Sequence, residues 1–186
     1  MPKTLATVGA TALTLAAALM PSTTRAANDG TIEITGDIVA TTCLVEGKPP
    51  GAGNITKDVQ LAGISAGSLS KPGATAGDRG FEIRIGGNDE CTDGTIAKIR
   101  FDPSSPALDR STGRLNIDAS AGAASNVQIE IANGNGKPIN LYTEDSEGAQ
   151  ISAHEAAIPL IARYYSLGGA KEGKAASRVG FQVVYQ

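Results

Sequence analysis

Residues 175–186 read AASRVGFQVVYQ. Val179, Phe181, Val183 and Tyr185 alternate there with Gly180, Gln182 and Val184. A period of two marks a β-strand with one face turned to an apolar interior. The pattern runs to Gln186 without a later segment to cover that face. The expectation is a strand that closes its side of the core only with help from elsewhere.

Working back from this end, the same pattern recurs between turn signals. The stretch 156–165 (AAIPLIARYY) sets Ile158, Leu160 and Ala162 on one side. Pro159 within it predicts an edge position or a bulge. NVQIEIANGNGKPINLY (126–142) reads as a hairpin, with Val127, Ile129 and Ile131 alternating and Asn-Gly steps at the turn. FEIRIGG (81–87) and TIAKIRF (95–101) are further strands, and ITKDVQLAGI (55–64) is a short candidate strand. SKPGATAGDRG (70–80) and SLGGAKEGK (166–174) read as loops, and DPSSPALD (102–109) as a turn. Apolar residues make up 41% of the chain and aromatics 4%, with no Trp, so the core has to be aliphatic. No segment carries a helical period over three turns. Seven or eight short strands predict an immunoglobulin-like β-sandwich.

The first 26 residues stand apart. One early cation, Lys3, precedes an apolar run from Leu5 to Met20, and Thr24 and Ala26 are small residues before a cleavage point. This is the pattern of a secretory signal peptide cut after Ala26; the run is too short and too rich in Ala and Thr for a membrane anchor. Residues 1–26 hold Lys3 and Arg25 and no acid, so their loss takes the formal charge from −3 to −5. Without a basic cluster, nucleic-acid binding is not expected. Two cysteines, Cys43 and Cys91, predict a structural disulfide in an exported protein, with two free thiols as the alternative. The acids Asp89, Glu90 and Asp93 disfavour a reactive thiolate at Cys91. Such a bridge contributes roughly 4 kcal/mol on a chain-entropy argument.

Catalytic chemistry finds little support. His154 is the one histidine and has no nucleophile elbow to accompany it; it reads as a surface loop residue. EDSEG (144–148) lacks the ligand spacing of a calcium loop and reads as a solvated loop. GGAKEGK (168–174) fits a phosphate loop up to Lys174, but Ala175 replaces the required hydroxyl and a strand, not a helix, follows. Asn54 opens a weak glycosylation tripeptide. No catalytic, metal or cofactor site is expected, and no small-molecule substrate.

At the other end, GTIEITGDIVATTC (30–43) is also strand-like, with Gly30, Ile32 and Ile34 on one face. An uncovered strand edge invites pairing, and an extended segment can fill it by strand addition. If that segment comes from the next copy, the contact is head-to-tail and builds a filament.

Three stretches together resemble the major subunits of chaperone–usher fimbriae of the type 1 pilin kind. The first is the Gly-Thr-apolar-x-apolar-x-Gly-x-apolar-apolar run that starts at Gly30 and leads to Cys43. The second is FEIRIGGNDEC (81–91), a strand ending in the second cysteine. The third spans 158–186, with an Ala-Arg-Tyr strand, a Gly fourteen from the end (Gly173) and a penultimate Tyr (Tyr185).

The resemblance implies an all-β, incomplete immunoglobulin-like sandwich that lacks its final strand and takes it from a neighbouring subunit. It implies a donor strand presenting Gly30, Ile32 and Ile34, and an acceptor groove lined by Val179, Phe181, Val183 and Tyr185 that a chaperone fills first. The implied division is a signal peptide (1–26), a donor-strand extension (27–36) and a pilin domain (37–186). The implied partners are identical subunits, a periplasmic chaperone, an outer-membrane usher, and tip adaptor or adhesin subunits. The implied location is a fimbria on the cell surface, reached through the periplasm. The alternatives are a minor or adaptor pilin near the fibre tip, a self-contained secreted carbohydrate-binding sandwich, which seven aromatics and no Trp disfavour, and a secreted enzyme.

Overall fold

A computed structural model describes residues 43–50 and 55–186. The signal peptide, the extension with Gly30, Ile32 and Ile34, and Asn54 lie outside the described residues. Within them the chain forms a short 3-10 turn (Ala66–Leu69) and eight strands. These are β1 (Thr75–Gly86), β2 (Ile96–Phe101), β3 (Leu108–Asp109), β4 (Arg114–Asn116), β5 (Ser125–Asn133), β6 (Ala149–Gln150), β7 (Glu155–Lys171) and β8 (Phe181–Tyr185). One sheet has the order β1-β7-β5-β4-β3 and the other β6-β2-β8, with every pair antiparallel.

Alternation explains the layering. Ile83 and Ile85 of β1, Ile99 of β2, Ile129 and Ile131 of β5, and Ile158 and Leu160 of β7 all point into one core. Each such side chain contributes about 1.5–3 kcal/mol when fully buried. The β-branched residues suit the pleated surface. Cys43 and Cys91 are joined by a disulfide across 48 positions, both buried in the same core.

β1 and β7 are longer than the sequence pattern indicates. Residues 75–80, read as loop, are the first half of β1, with a bulge between Ala76 and Arg79. Gly77 enters that bulge at φ +73, with the Tyr164 ring against its open side; a bulge of this kind needs a residue at positive φ, and glycine adopts it without strain. Residues 166–171, also read as loop, continue β7, with a register shift opposite Ser125 and Val127. Glycine-rich composition here serves irregular pairing rather than a loop.

Pro159 does not mark an edge. It lies in β7, a central strand, opposite Glu82 of β1. On its other flank β5 has ended at Asn133, so Pro159 meets Gly134 just past the last pair. The candidate strand 55–64 forms no ladder, and the turn 102–109 holds the two residues of β3. At the turn of the expected hairpin, Gly136 takes positive φ and Gly134 does not, and the second arm is a single bridge, Ala132 to Pro138, followed by Ile139 N–H donating to Ile131 O (3.0 Å).

The outer face of β5 is buried as well. Glu130 is 2% exposed and sits between two arginines: Arg114 Nε donates to it at 2.8 Å and Arg163 Nε at 2.8 Å. Arg114 also lies over the Tyr165 ring, 3.6 Å from its centre. A buried carboxylate is tolerated only with such partners.

Candidate functional site

The sequence singles out β8, and its hydrogen bonds define what it offers. Gln186 exchanges both backbone bonds with Ile96, each 2.9 Å. Asp102 N–H donates to Gly180 O at 2.9 Å, and Lys98 and Arg100 stand opposite Val184 and Gln182. In an antiparallel pair, bonded residues alternate with residues whose N–H and C=O point the other way. The backbone groups of Phe181 and Val183 therefore face the outer edge of β8, where no described strand pairs.

The side chains repeat this incompleteness. Val179, Phe181, Val183 and Tyr185 lie on one face, packed against the core yet only half-buried. A strand with an apolar face and an open row of backbone donors and acceptors is a template for another strand.

The run leading into β8 is held firmly. Lys174 N–H donates to Gly122 O (2.8 Å), Ala124 N–H to Lys174 O (2.9 Å) and Asp118 N–H to Ala176 O (2.8 Å). Ser177 Oγ donates to Asn116 O (2.7 Å), and Arg178 pairs with Asp118 at 3.0 Å. Gly173 starts this run at φ +155, and a Cβ there would overlap the backbone of Ala123 and Ala124. Gly180 is also tight: a Cβ would come within 3.1 Å of Asp102, and its N–H donates to Ser105 Oγ at 3.0 Å.

A second element shares the same core without a backbone partner among the described residues. Residues 55–61 alternate between half-buried (Ile55, Lys57, Val59, Leu61) and exposed (Thr56, Asp58, Gln60). That is strand-like burial, yet the segment makes no backbone hydrogen bond to another described residue. Ile55 and Leu61 pack on the cluster that also carries Phe181 and Val183. The period of two in 55–61 is the signal that marks this second element.

The remaining sequence candidates fall elsewhere. His154 is exposed in the turn before β7, at φ +63; its Nδ1–H donates to Cys91 O at 2.8 Å, and that bond raises the imidazole pKa above its ordinary value. The loop 144–148 is not merely solvated. Ser146 is buried and closes the far edge of β2, its Oγ accepting from Ile99 N–H and its own N–H donating to Ile99 O, both at 2.8 Å. Asp145 grips Arg100 with two bonds of 2.8 and 2.7 Å, and that guanidinium holds the carboxyl below its ordinary pKa. Among the described residues, no group of His, Cys, Asp or Glu could hold a metal ion, and no helix is long and apolar enough to cross a membrane.

Two antiparallel sheets around an aliphatic core place the chain in the class of immunoglobulin-like pilin domains. The likeness extends to a solved chaperone–usher pilus (TM-score 0.53, 14% identity, 86% of this chain, 96% of that one) and to the P pilus rod subunit PapA (TM-score 0.53, 16% identity, 78% of this chain, 99% of that one). The family model described as Fimbrial protein matches residues 32–186, and the chain belongs to that family. It is 30% identical to the type-1 fimbrial protein A chain of Escherichia coli K12, over 99% of this chain and 98% of the relative. It is 35% identical to the serotype 2 fimbrial subunit of Bordetella pertussis, over 86% of this chain and 87% of that one. The chain is a structural subunit of a surface fimbria, not an enzyme, and assembles with other subunits into a fibre.

Proposed function

We propose that this subunit polymerises by strand donation. Residues 27–36 of one copy, presenting Gly30, Ile32 and Ile34, lie along the open edge of β8 in the next. The backbone of Phe181 and Val183 supplies hydrogen bonds, and Val179, Phe181, Val183 and Tyr185 supply the apolar floor. The observation that carries this reading is the outer edge of β8 at Phe181 and Val183, where no described strand pairs, over a half-buried apolar face. Strand addition of this kind takes affinity from the main chain and register from alternate side chains. Segment 55–61 is the second wall, giving the incoming strand a backbone on its far side so that it does not itself become an open edge.

Before assembly the same edge needs a temporary cover. A periplasmic chaperone lends it a strand, and an outer-membrane usher exchanges that strand for the next subunit's extension. The subunit therefore follows a signal peptide (1–26) into the periplasm and ends in a fibre that carries adaptor or adhesin subunits at its tip.

The test compares residues 37–186 alone with the same residues followed by a flexible linker and a copy of 27–39. The extended chain is expected to unfold at a much higher urea concentration. Equal midpoints, with both proteins monomeric, would sink the proposal.

A further inference from the structure

Residues 45–48 form a tight turn in which Val45 and Lys48 exchange both backbone bonds, 2.8 and 3.0 Å. Its two central residues, Glu46 and Gly47, have φ of +50 and +73. This turn type favours Asn, Asp or Gly at both positions. A glutamate at positive φ is uncommon, and such an outlier persists only where its surroundings hold it.

What holds it is the side chain. Glu46 Oε1 accepts the backbone N–H of Arg84 at 2.8 Å, at the outer edge of β1. Oε2 pairs with Lys57 Nζ at 2.9 Å, with both side chains mostly buried (20% and 27% exposed). Lys57 stands on the inward side of 55–61, in series with Ile55, Val59 and Leu61. That segment makes no backbone hydrogen bond to a described residue, and a cleft separates Asp58, Val59 and Gln60 from Arg79, Gly80 and Phe81 of β1. Partial burial works against the charged form of Glu46, but the Arg84 N–H and Lys57 outweigh it and hold the carboxyl below its ordinary pKa.

We infer that Glu46 is a positioning residue: its carboxylate clamps segment 55–61 to the edge of β1 and so fixes the far wall against which an incoming strand docks. The inference rests on the strand-donation reading above and adds what keeps an unpaired segment in place until the strand arrives. Apolar contacts alone would let 55–61 slide or lift, because hydrophobic packing is non-directional. One charge-assisted link to a sheet edge fixes its position along the groove.

The test uses the full chain and a fluorescent peptide of residues 27–39 as probe, with Glu46→Asn and Lys57→Met as variants. Asparagine suits the positive-φ position and is one methylene shorter, so Glu46→Asn eases the turn while releasing Lys57. Lys57→Met leaves the turn and the Arg84 contact untouched. Both variants are expected to capture the peptide about tenfold more weakly or worse, with urea midpoints at or above wild type for Glu46→Asn and little changed for Lys57→Met. A merely structural role would move capture and midpoint together. Unchanged capture in both variants, or losses that track the midpoint in both, overturns the clamp. If the wild-type chain itself takes up no peptide, the strand-donation reading falls, and the clamp with it.

Discussion

The outer edges of β1 and β8 belong to the same sandwich and are treated in opposite ways. Along β1, Val45 bridges to Ile85, Glu46 N–H donates to Arg84 O (2.9 Å) and Gly86 N–H to Leu44 O (2.7 Å). Beside these bonds, the Arg84 N–H is stopped by the Glu46 carboxylate. The far edge of β2 is closed as well, by β6 and by Ser146. β8 has no such cover among the described residues, and its apolar face stays half-open. Proteins ordinarily blunt their sheet edges, because an open one recruits other chains. Among the described residues, such blunting covers the Arg84–Gly86 end of β1 and the far edge of β2 and does not reach β8.

The largest expected effect comes from a pair of prolines on neighbouring residues. Val183 turns its N–H to the open edge, and Val184 turns its N–H to β2. Val184→Pro removes an internal rung and is expected to cost about 1–3 kcal/mol of stability, read as a lowered urea midpoint. Val183→Pro removes only a donor aimed outward. Its domain is expected to keep nearly the wild-type midpoint while the ladder of multimers on unboiled electrophoresis disappears. Equal behaviour of the two variants would mean that the two edges of β8 do not differ in the way the pairing indicates.

Much of this contrast was legible in the sequence, for a physical reason. A strand packed on one side writes a period of two, and 179–185 writes it plainly. The same rule marked β2, β5 and the first part of β7. It failed at 75–80 and 166–171, where glycines at positive φ bend the strand through bulges and local composition resembles a loop. It half-failed at 55–64, where the alternation is real but no described residue pairs with the segment's backbone, so the pattern predicts burial without predicting a ladder. The edge closures were not legible at all. That Glu46 would meet Arg84 and Ser146 would meet Ile99 depends on contacts 38 and 47 residues apart, which no local pattern encodes. Pro159 misled because a ladder can end beside a residue in the middle of a strand.

Ser146→Ala probes the closed edge of β2. It deletes the oxygen that accepts Ile99 N–H and leaves that buried donor unpaired. The expected loss is about 1–2 kcal/mol, seen as a lower midpoint. Multimer formation by the folded fraction should be unaffected, since the open edge lies on β8. A variant that folded normally but failed to assemble would show that the two edges are coupled.

Acid should reach the β1 closure before it reaches the fold. Glu46 has a folded-state pKa below its ordinary 4.5. A carboxyl of this kind contributes stability that is fully present above the ordinary value and is lost as pH falls through the folded one. Asp109, held at about 2 by the hydroxyl and N–H of Ser111, gives up its share only in stronger acid. The midpoint measured against pH should therefore decline in stages, the Glu46 part beginning just below pH 4.5. That part is small, about 0.5 kcal/mol for a partly exposed pair, and Glu46→Gln should remove it while leaving the later decline in place. Hydrogen exchange at Arg84 N–H sharpens the test. Its protection should fall with the Glu46 titration, whereas the Val184 N–H, bonded within the β2–β8 pair, should keep its protection until the domain unfolds. Parallel loss at both amides would mean that the closed edge of β1 has no local stability of its own.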